Sequence, residues 1–311
     1  MKVIYNLTKF NPKFTDGSVI TIGNYDGVHL GHQKILHLVK NKAKKMQLLS
    51  IVMVFDPSPL EYFTKKLKLK LTPTREKIML LEKLGIDILL LIKFNNIIAN
   101  LSADHFVKNI LVNILKIRYI VVGDDFTFGN DRKGDFNLLK KMSYIYNFQV
   151  QQISSFRIHN FRVSSSLIKK LLDNNLKLAE KMLGRNFCIT GIVKHGNHLG
   201  RSIGFPTANI NIFFDKLLLT GVYLVKIYGI SNNFLFGISF ISEKHITIKY
   251  HYKVCEVHII DFASNIYGKE ITIIFIKKIR EEHKFISIFQ LKGQIERDLI
   301  VAKNIIAQNL Y

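Results

Sequence analysis

The N-terminal 184 residues alternate short apolar runs with longer amphipathic ones. Val19–Ile22 predicts a strand, followed by a glycine-rich loop and a helix from about Gly31 to Met46. Leu48–Phe55 predicts the next strand, Ile86–Ile92 a third and Tyr119–Val122 a fourth. Thr72-Pro73 predicts a helix start, with Thr as N-cap and Pro at the first helical position. Ala103–Leu115 and Phe136–Tyr146 predict further helices. Strands alternating with helices require right-handed crossovers, hence an α/β domain built on a parallel sheet covered on both faces. Ligands in such sheets bind beyond the carboxyl ends of the strands, which points to the loops after Ile22, Phe55 and Val122.

From Phe187 the spacing tightens. Ile189–Val193, Gly221–Ile227, Leu235–Phe240, Thr247–Tyr252, Glu256–Ile260 and Ile271–Lys277 read as short strands of an antiparallel β-barrel. A terminal helix is signed by Ser287 as N-cap and Gln290 three residues on. Its apolar positions Ile288, Leu291, Ile295, Leu299, Ala302 and Ile306 fall three or four apart and predict one buried stripe. The change of texture sets the expected boundary near Gly184–Arg185, giving domains 1–184 and 185–311.

Composition narrows the classes. Hydrophobic residues make up 48% and charged residues 22%, enough for real cores and against disorder. No apolar run approaches the roughly 20 residues a membrane span needs, and the N-terminus lacks a signal-peptide pattern. Two cysteines, Cys188 and Cys255, are too few for a disulfide framework or a cysteine metal cage. The expectation is a soluble, cytoplasmic protein without a membrane partner. The net charge of +22 sets 45 Lys and Arg against 23 Asp and Glu; only nine of the basic residues are Arg and 36 are Lys, scattered rather than clustered. Nucleic-acid readers concentrate charge and favour Arg, so no nucleic acid is expected. A basic surface still attracts phosphorylated substrates.

The loop after the first strand, Gly23-Asn24-Tyr25-Asp26-Gly27-Val28-His29-Leu30-Gly31-His32, enters a helix. Glycines let backbone amides approach a phosphate chain, and a helix N-terminus favours negative charge. Two imidazoles three residues apart can face one ligand and stabilise charge developing at phosphorus. His-x-Gly-His after a strand marks nucleotidyltransferases and their class I aminoacyl-tRNA synthetase relatives. Lys141-Met142-Ser143 echoes the second synthetase motif, but it falls inside a predicted helix, which sets that reading aside.

Three further segments follow in order: Phe55-Asp56-Pro57-Ser58-Pro59, the run Val122-Gly123-Asp124-Asp125-Phe126-Thr127-Phe128 to Asp135, and Val163-Ser164-Ser165-Ser166-Leu167-Ile168-Lys169. With them the first half resembles the FMN adenylyltransferase domain of the bacterial bifunctional riboflavin kinase/FAD synthetase family, a Rossmann-like nucleotidyltransferase fold. The second half is similar to its riboflavin kinase domain. It carries Gly191-Ile192-Val193-Lys194-His195-Gly196, then Gly200-Arg201-Ser202-Ile203-Gly204-Phe205-Pro206-Thr207-Ala208-Asn209, then Glu256-Val257-His258-Ile259-Ile260-Asp261-Phe262 and Ile266-Tyr267-Gly268-Lys269-Glu270.

The resemblance implies FAD synthesis in two steps: ATP phosphorylates riboflavin to FMN, and FMN is adenylylated to FAD with release of pyrophosphate. It implies His29 and His32 as catalytic at the adenylyl step and Glu256 as general base for the kinase. Gly23, Asn24, Asp26, Gly27, Gly31, Ser164, Ser165, Ser166 and Lys169 would bind nucleotide in one domain, and Gly196, Gly200 and Gly204 in the other. Flavin would meet Asp125, Phe126, Phe128 and Arg280, and Mg²⁺ would lie near Thr207 and Asn209, whose neutral oxygens suit it. Three departures stand out. Ser58 replaces a His, and Lys169 replaces an Arg without its planar fork. Gly237–Ser242 replaces a Gly-Val-Ala-Asn-Ile-Gly stretch with no Arg-Pro-Thr beyond it. That stretch is expected to be an eroded closing loop that slows the kinase. The alternatives are a monofunctional FMN adenylyltransferase with a degenerate barrel, and a basic nucleic-acid-associated protein on an enzyme fold.

Overall fold

A computed structural model describes residues 1–7, 10, 16–66, 69–196, 199–212, 218–247 and 250–308. The chain forms two compact units, Met1–Leu167 and Ile168–Tyr311, with the helix Ser165–Asn174 crossing the division. Among the described residues no helix is long and apolar enough to cross a membrane.

The first unit holds a six-stranded parallel sheet ordered β1-β4-β3-β2-β5-β6. The strands are β1 (Lys2–Ile4), β2 (Ser18–Ile22), β3 (Leu49–Phe55), β4 (Ile88–Ile92), β5 (Ile117–Gly123) and β6 (Gln149–Ile153). β2 and β4 are buried along their whole length because helices cover both faces. The chain runs from β2 to one side and reaches β5 on the other, so the switch point lies beyond the carboxyl end of β2. The edge strands β1 and β6 escape the apolar pattern: one has three residues, and the other carries three glutamines among its five.

Two helix expectations are corrected. Helix α1 (Leu30–Met46) and the short α2 (Pro59–Thr64) precede α3 (Thr74–Lys83), where Pro73 itself occupies the N-cap and no side chain caps. Thr72 stands one residue earlier, buried, with its amide donating to Asp26 Oδ1 at 3.3 Å. Ala103–Leu115 is not one α-helix: a single turn, Ala103–His105, passes into a π-wound stretch, Phe106–Ile114. Its buried residues Phe106, Val107, Ile110 and Leu111 and the cap residue Leu115 stand four or five apart along one side, a spacing matched by the i→i+5 bond from Leu115 N–H to Ile110 O at 2.9 Å.

The second unit is a closed antiparallel barrel ordered β10-β13-β12-β11-β14-β9. A small hairpin of the first unit supplies β7 (Arg157–Ile158) and β8 (Phe161–Arg162). The barrel strands are β9 (Cys188–Lys194), β10 (Thr207–Ile212), β11 (Gly221–Tyr228), β12 (Leu235–Thr247), β13 (Tyr250–Ile259) and β14 (Glu270–Arg280). The segments Thr247–Tyr252 and Glu256–Ile260 are not separate strands. β12 and β13 pair from Gly237↔Ile259 to Thr247↔Tyr250 with a register shift between His245 and Thr247, and residues 248–249 of the expected strand lie outside the described ones. Gly237–Ser242 is therefore barrel wall and not a loop, with Ser239 and Ser242 buried in it.

The terminal helix Ile288–Ala307 starts at Ser287, whose hydroxyl accepts the Gln290 amide at 3.3 Å. Its buried residues are Asp298, Ala302 and Ile305, while Ile288 is 44% exposed. Of the expected stripe Ala302 is buried and Leu291, Ile295, Leu299 and Ile306 are half-buried, so only its first position stands open, and Asp298, paired with Arg280, joins the packed side. Ala302 and Ile305 join Val222, Leu224 and Ile238 in one apolar cluster.

Two candidate active sites

Beyond β2 the chain is fastened at several points. Gly23 N–H donates to Met53 O on β3 at 3.1 Å. The Asn24 carbonyl accepts from Lys77 Nζ at 2.8 Å, and the Asp26 carbonyl accepts from the Ser165 hydroxyl at 2.8 Å. The Asp26 carboxylate takes the Leu71 and Thr72 amides. Tyr25 is buried with its hydroxyl bonded to Thr21 Oγ1 at 2.6 Å, and burial pushes that phenol well above its usual range. Gly27 has φ +88°, a conformation side chains resist. Val28 also has positive φ, 42°, which is strained for a β-branched residue; Gln33 Nε2 holds its carbonyl at 2.9 Å.

His29 is the N-cap of α1, its Nδ1 accepting the His32 amide at 3.3 Å. A neutral His29 therefore carries its proton on Nε2. The two imidazoles stack with centroids 3.6 Å apart, and a Cβ on Gly31 would meet the His29 ring at 3.2 Å. His32 is half-buried as a residue, but its Nδ1 is enclosed and has no hydrogen-bond partner among the described residues. Burial holds its pKa well below the usual 6.5, with the charges of His29 and Lys77 adding to the effect. The structure thus brings together a glycine loop, two stacked imidazoles and a buried lysine.

Ser164 Oγ accepts the Leu167 amide at 3.3 Å at the start of the helix Ser165–Asn174. Ser165 ties that helix start to the glycine loop, and Ser166 is exposed. Lys169 lies one turn along from Ser165 on the same helix face. After β5, Arg162 Nη2 bonds Asp125 Oδ2 at 2.7 Å and Asp124 Oδ1 at 3.3 Å. The Ser155 hydroxyl holds the Asp124 carboxyl below the usual carboxylate range. Phe128 is core, 8% exposed and tilted against Phe106; Phe126 stacks on it and remains half-buried. Of the two rings, Phe126 is the one open to a ligand.

In the barrel, β10 alternates. Ala208 and Ile210 are buried, whereas Thr207 and Asn209 share the opposite, half-exposed face. Asn209 pairs with Glu256 and Thr207 with His258 across the β10–β13 ladder. Directly opposed residues have Cβ atoms about 5 Å apart, so Asn209 and Glu256 are neighbours. Gly196 lies so close to the Asn209 amide that a Cβ would collide with it, and a Cβ on Gly200 would meet Phe205 O at 2.4 Å and Thr207 Oγ1 at 3.1 Å. Gly204 has φ +89°. His258 Nδ1 donates to Pro206 O at 2.9 Å, and His195 stacks on Tyr267 at 3.7 Å.

A cleft of about 550 Å³ opens beside this face, with Phe205, Pro206, Ile260 and Phe262 on one side and Leu299 and Lys303 on the other. Among the described residues no group of three His, Cys, Asp or Glu forms a metal cluster. Thr207 and Asn209, on one face of β10, offer hard, neutral oxygens of the kind Mg²⁺ accepts when phosphates and water complete its shell. Arg280 is engaged within the chain: Nε lies 3.0 Å from both Asp298 oxygens, Nη2 at 2.9 Å, and Nη1 bonds Glu281 O.

Sequence reasoning missed Lys77 and the structural task of Ser58. Ser58 caps α2 in a reciprocal box with Glu61, its hydroxyl 2.7 Å from Glu61 Oε2. The Ser-x-x-Glu spacing was the available signal there; nothing in the local pattern marks Lys77.

Comparison with known proteins covers both units. The FAD synthetase family model matches residues 11–167, and the riboflavin kinase family model matches residues 183–306. The bifunctional riboflavin kinase/FMN adenylyltransferase of Buchnera aphidicola subsp. Schizaphis graminum is 44% identical over 305 residues, spanning 96% of each chain. The protein of the same name from Escherichia coli K12 is 40% identical over 305 residues, 97% of each. That of Pseudomonas fluorescens is 36% identical over 312 residues, 100% of each. A crystal structure described as a macrolide-efflux protein from Streptococcus pneumoniae superposes with a TM-score of 0.82 at 28% identity, covering 97% of this chain and 98% of that one.

Proposed function

Because the chain belongs to the bifunctional riboflavin kinase/FMN adenylyltransferase family, we propose that its two units divide FAD synthesis between the sites described above. The single observation that carries the residue assignment is the Asn209↔Glu256 register, which sets a carboxylate beside an amide oxygen on an open barrel face.

In the kinase unit, Glu256 accepts the proton of the riboflavin 5′-hydroxyl as that oxygen attacks the γ-phosphorus of ATP and ADP departs. Thr207 and Asn209 would hold Mg²⁺, which when bound neutralises phosphate charge. Gly196, Gly200 and Gly204 let the backbone lie against the phosphates, and the apolar walls of the adjoining cleft suit the nucleotide base. Arg280 supports this site by tying the terminal helix to β14 through Asp298, and so sets the wall beside which the flavin lies.

In the adenylyltransferase unit, amides of the Gly23–Gly31 segment and the α1 N-terminus bind the triphosphate. His29 donates from Nε2 and His32 lies against it, stabilising charge as the FMN phosphate attacks the α-phosphorus and pyrophosphate departs. Ser164, Ser165, Ser166 and Lys169 contribute from the neighbouring helix start. Phe126 offers a ring face to the isoalloxazine, and Asp125 a polar edge. Nothing in this scheme draws on a membrane or a nucleic acid, and a cytoplasmic setting supplies ATP and riboflavin. The test is chromatographic product analysis with riboflavin and FMN supplied separately alongside Mg-ATP: FMN plus FAD from the first, FAD from the second.

A further inference from the structure

Lys77 projects from α3 and is 5% exposed, and its ammonium makes one hydrogen bond among the described residues, to Asn24 O at 2.8 Å. Burying a cation with one neutral partner is costly. Burial accordingly holds its pKa down and Lys70 adds to that, while Asp26, Asp56 and Glu61 oppose it. A buried lysine kept on a loop carbonyl at that cost calls for a purpose.

The peptide group supplies one. It is planar and trans, so the N–H of residue i+1 points opposite to the C=O of residue i. With Asn24 O turned onto Lys77, the Tyr25 amide faces the other way. With Asp26 O turned onto Ser165, so does the Gly27 amide. Neither amide has a hydrogen-bond partner among the described residues. Two carbonyl clamps thus leave two donors open on a glycine loop at the sheet's switch point.

We propose that Lys77 is a positioning residue for the adenylyl step: by holding Asn24 O, it turns the Tyr25 amide toward the triphosphate of ATP. This rests on the adenylyltransferase reading above. A clamp of this kind acts on nucleotide binding and not on the flavin. Lys77→Met keeps the length of the stem and removes the donor. It raises the KM for ATP in FMN adenylylation about tenfold or more, the scale of losing a charge-assisted bond and an oriented group. The KM for FMN and the rate of riboflavin phosphorylation stay within about twofold, as expected where no contact is changed. A merely structural role would lower the active fraction and leave the KM for ATP in place.

A second measurement needs no variant: in wild-type protein, a non-hydrolysable ATP analogue shifts the Tyr25 and Gly27 amide resonances and slows their exchange. An unmoved KM for ATP in Lys77→Met, or Tyr25 and Gly27 amides indifferent to the analogue while the α1 N-terminus responds, overturns the clamp alone. Wild-type protein that makes no FAD from FMN overturns the reading beneath it.

Discussion

The amide of His32 donates to Nδ1 of His29 at 3.3 Å while the two rings stack 3.6 Å apart. One imidazole therefore caps α1 through Nδ1 and presents Nε2–H to whatever lies beyond the helix start. The two tasks separate by substitution. Asn is a good N-cap, so His29→Asn keeps the helix and removes the Nε2 donor. FAD formation from FMN falls about a hundredfold with the melting curve little changed. His29→Ala loses the same activity and about 1 kcal/mol of stability besides. Full activity in His29→Asn reduces His29 to a cap.

The buried His32 ring gives a pH signature. Its folded pKa lies below the usual 6.5, through burial first and then His29 and Lys77. As pH falls through 6.5 the unfolded chain takes up this proton and the folded chain does not. The stabilising effect of neutral His32 is thus fully present above 6.5 and is lost toward the lower folded value, with a slope of at most about 1.4 kcal/mol per pH unit. Histidine-selective NMR shows this ring still neutral at pH 6, and His32→Gln flattens the loss of stability below 6.5. A ring that titrates at 6.5 or higher contradicts the enclosed Nδ1.

Phe240 stands directly opposite Glu256 in the β12–β13 ladder. The family resemblance implies an Asn there, and a phenyl ring cannot donate a hydrogen bond. Riboflavin phosphorylation is therefore expected to be the slower half-reaction on one preparation. Phe240→Asn raises it about tenfold or more, within the roughly hundredfold that misplacing a reactant by about 1 Å costs. Riboflavin turnover as fast as FMN adenylylation, or no gain in the variant, shows that the ring is neutral.

Much of this molecule is legible in its sequence, for reasons that particular residues make plain. β2 and β4 read as strands because burial on both faces demands unbroken apolar runs. The His-x-Gly-His loop announces itself because its chemistry is local. β10 is passed over although Ala208, Ile210 and Ile212 alternate with Thr207, Asn209 and Asn211, because Asn is a poor strand former and two stand among its six residues. In the terminal helix the apolar stripe is legible but the burial of Asp298 is not, since it depends on a partner 18 residues away. Lys77 is invisible because its meaning depends on Asn24, 53 residues earlier. Periodicity reports what packs; it is silent about side chains placed by long-range partners.

The division of labour between the two units is tested most directly by chromatographic product analysis of Glu256→Gln beside wild type, each given riboflavin or FMN with Mg-ATP. Wild type yields FMN and FAD from riboflavin. The variant, equal in size and lacking the proton acceptor, yields little of either from riboflavin, yet makes FAD from supplied FMN at the wild-type rate. Undiminished FMN formation by a folded Glu256→Gln protein, or loss of FAD synthesis from FMN, contradicts the account.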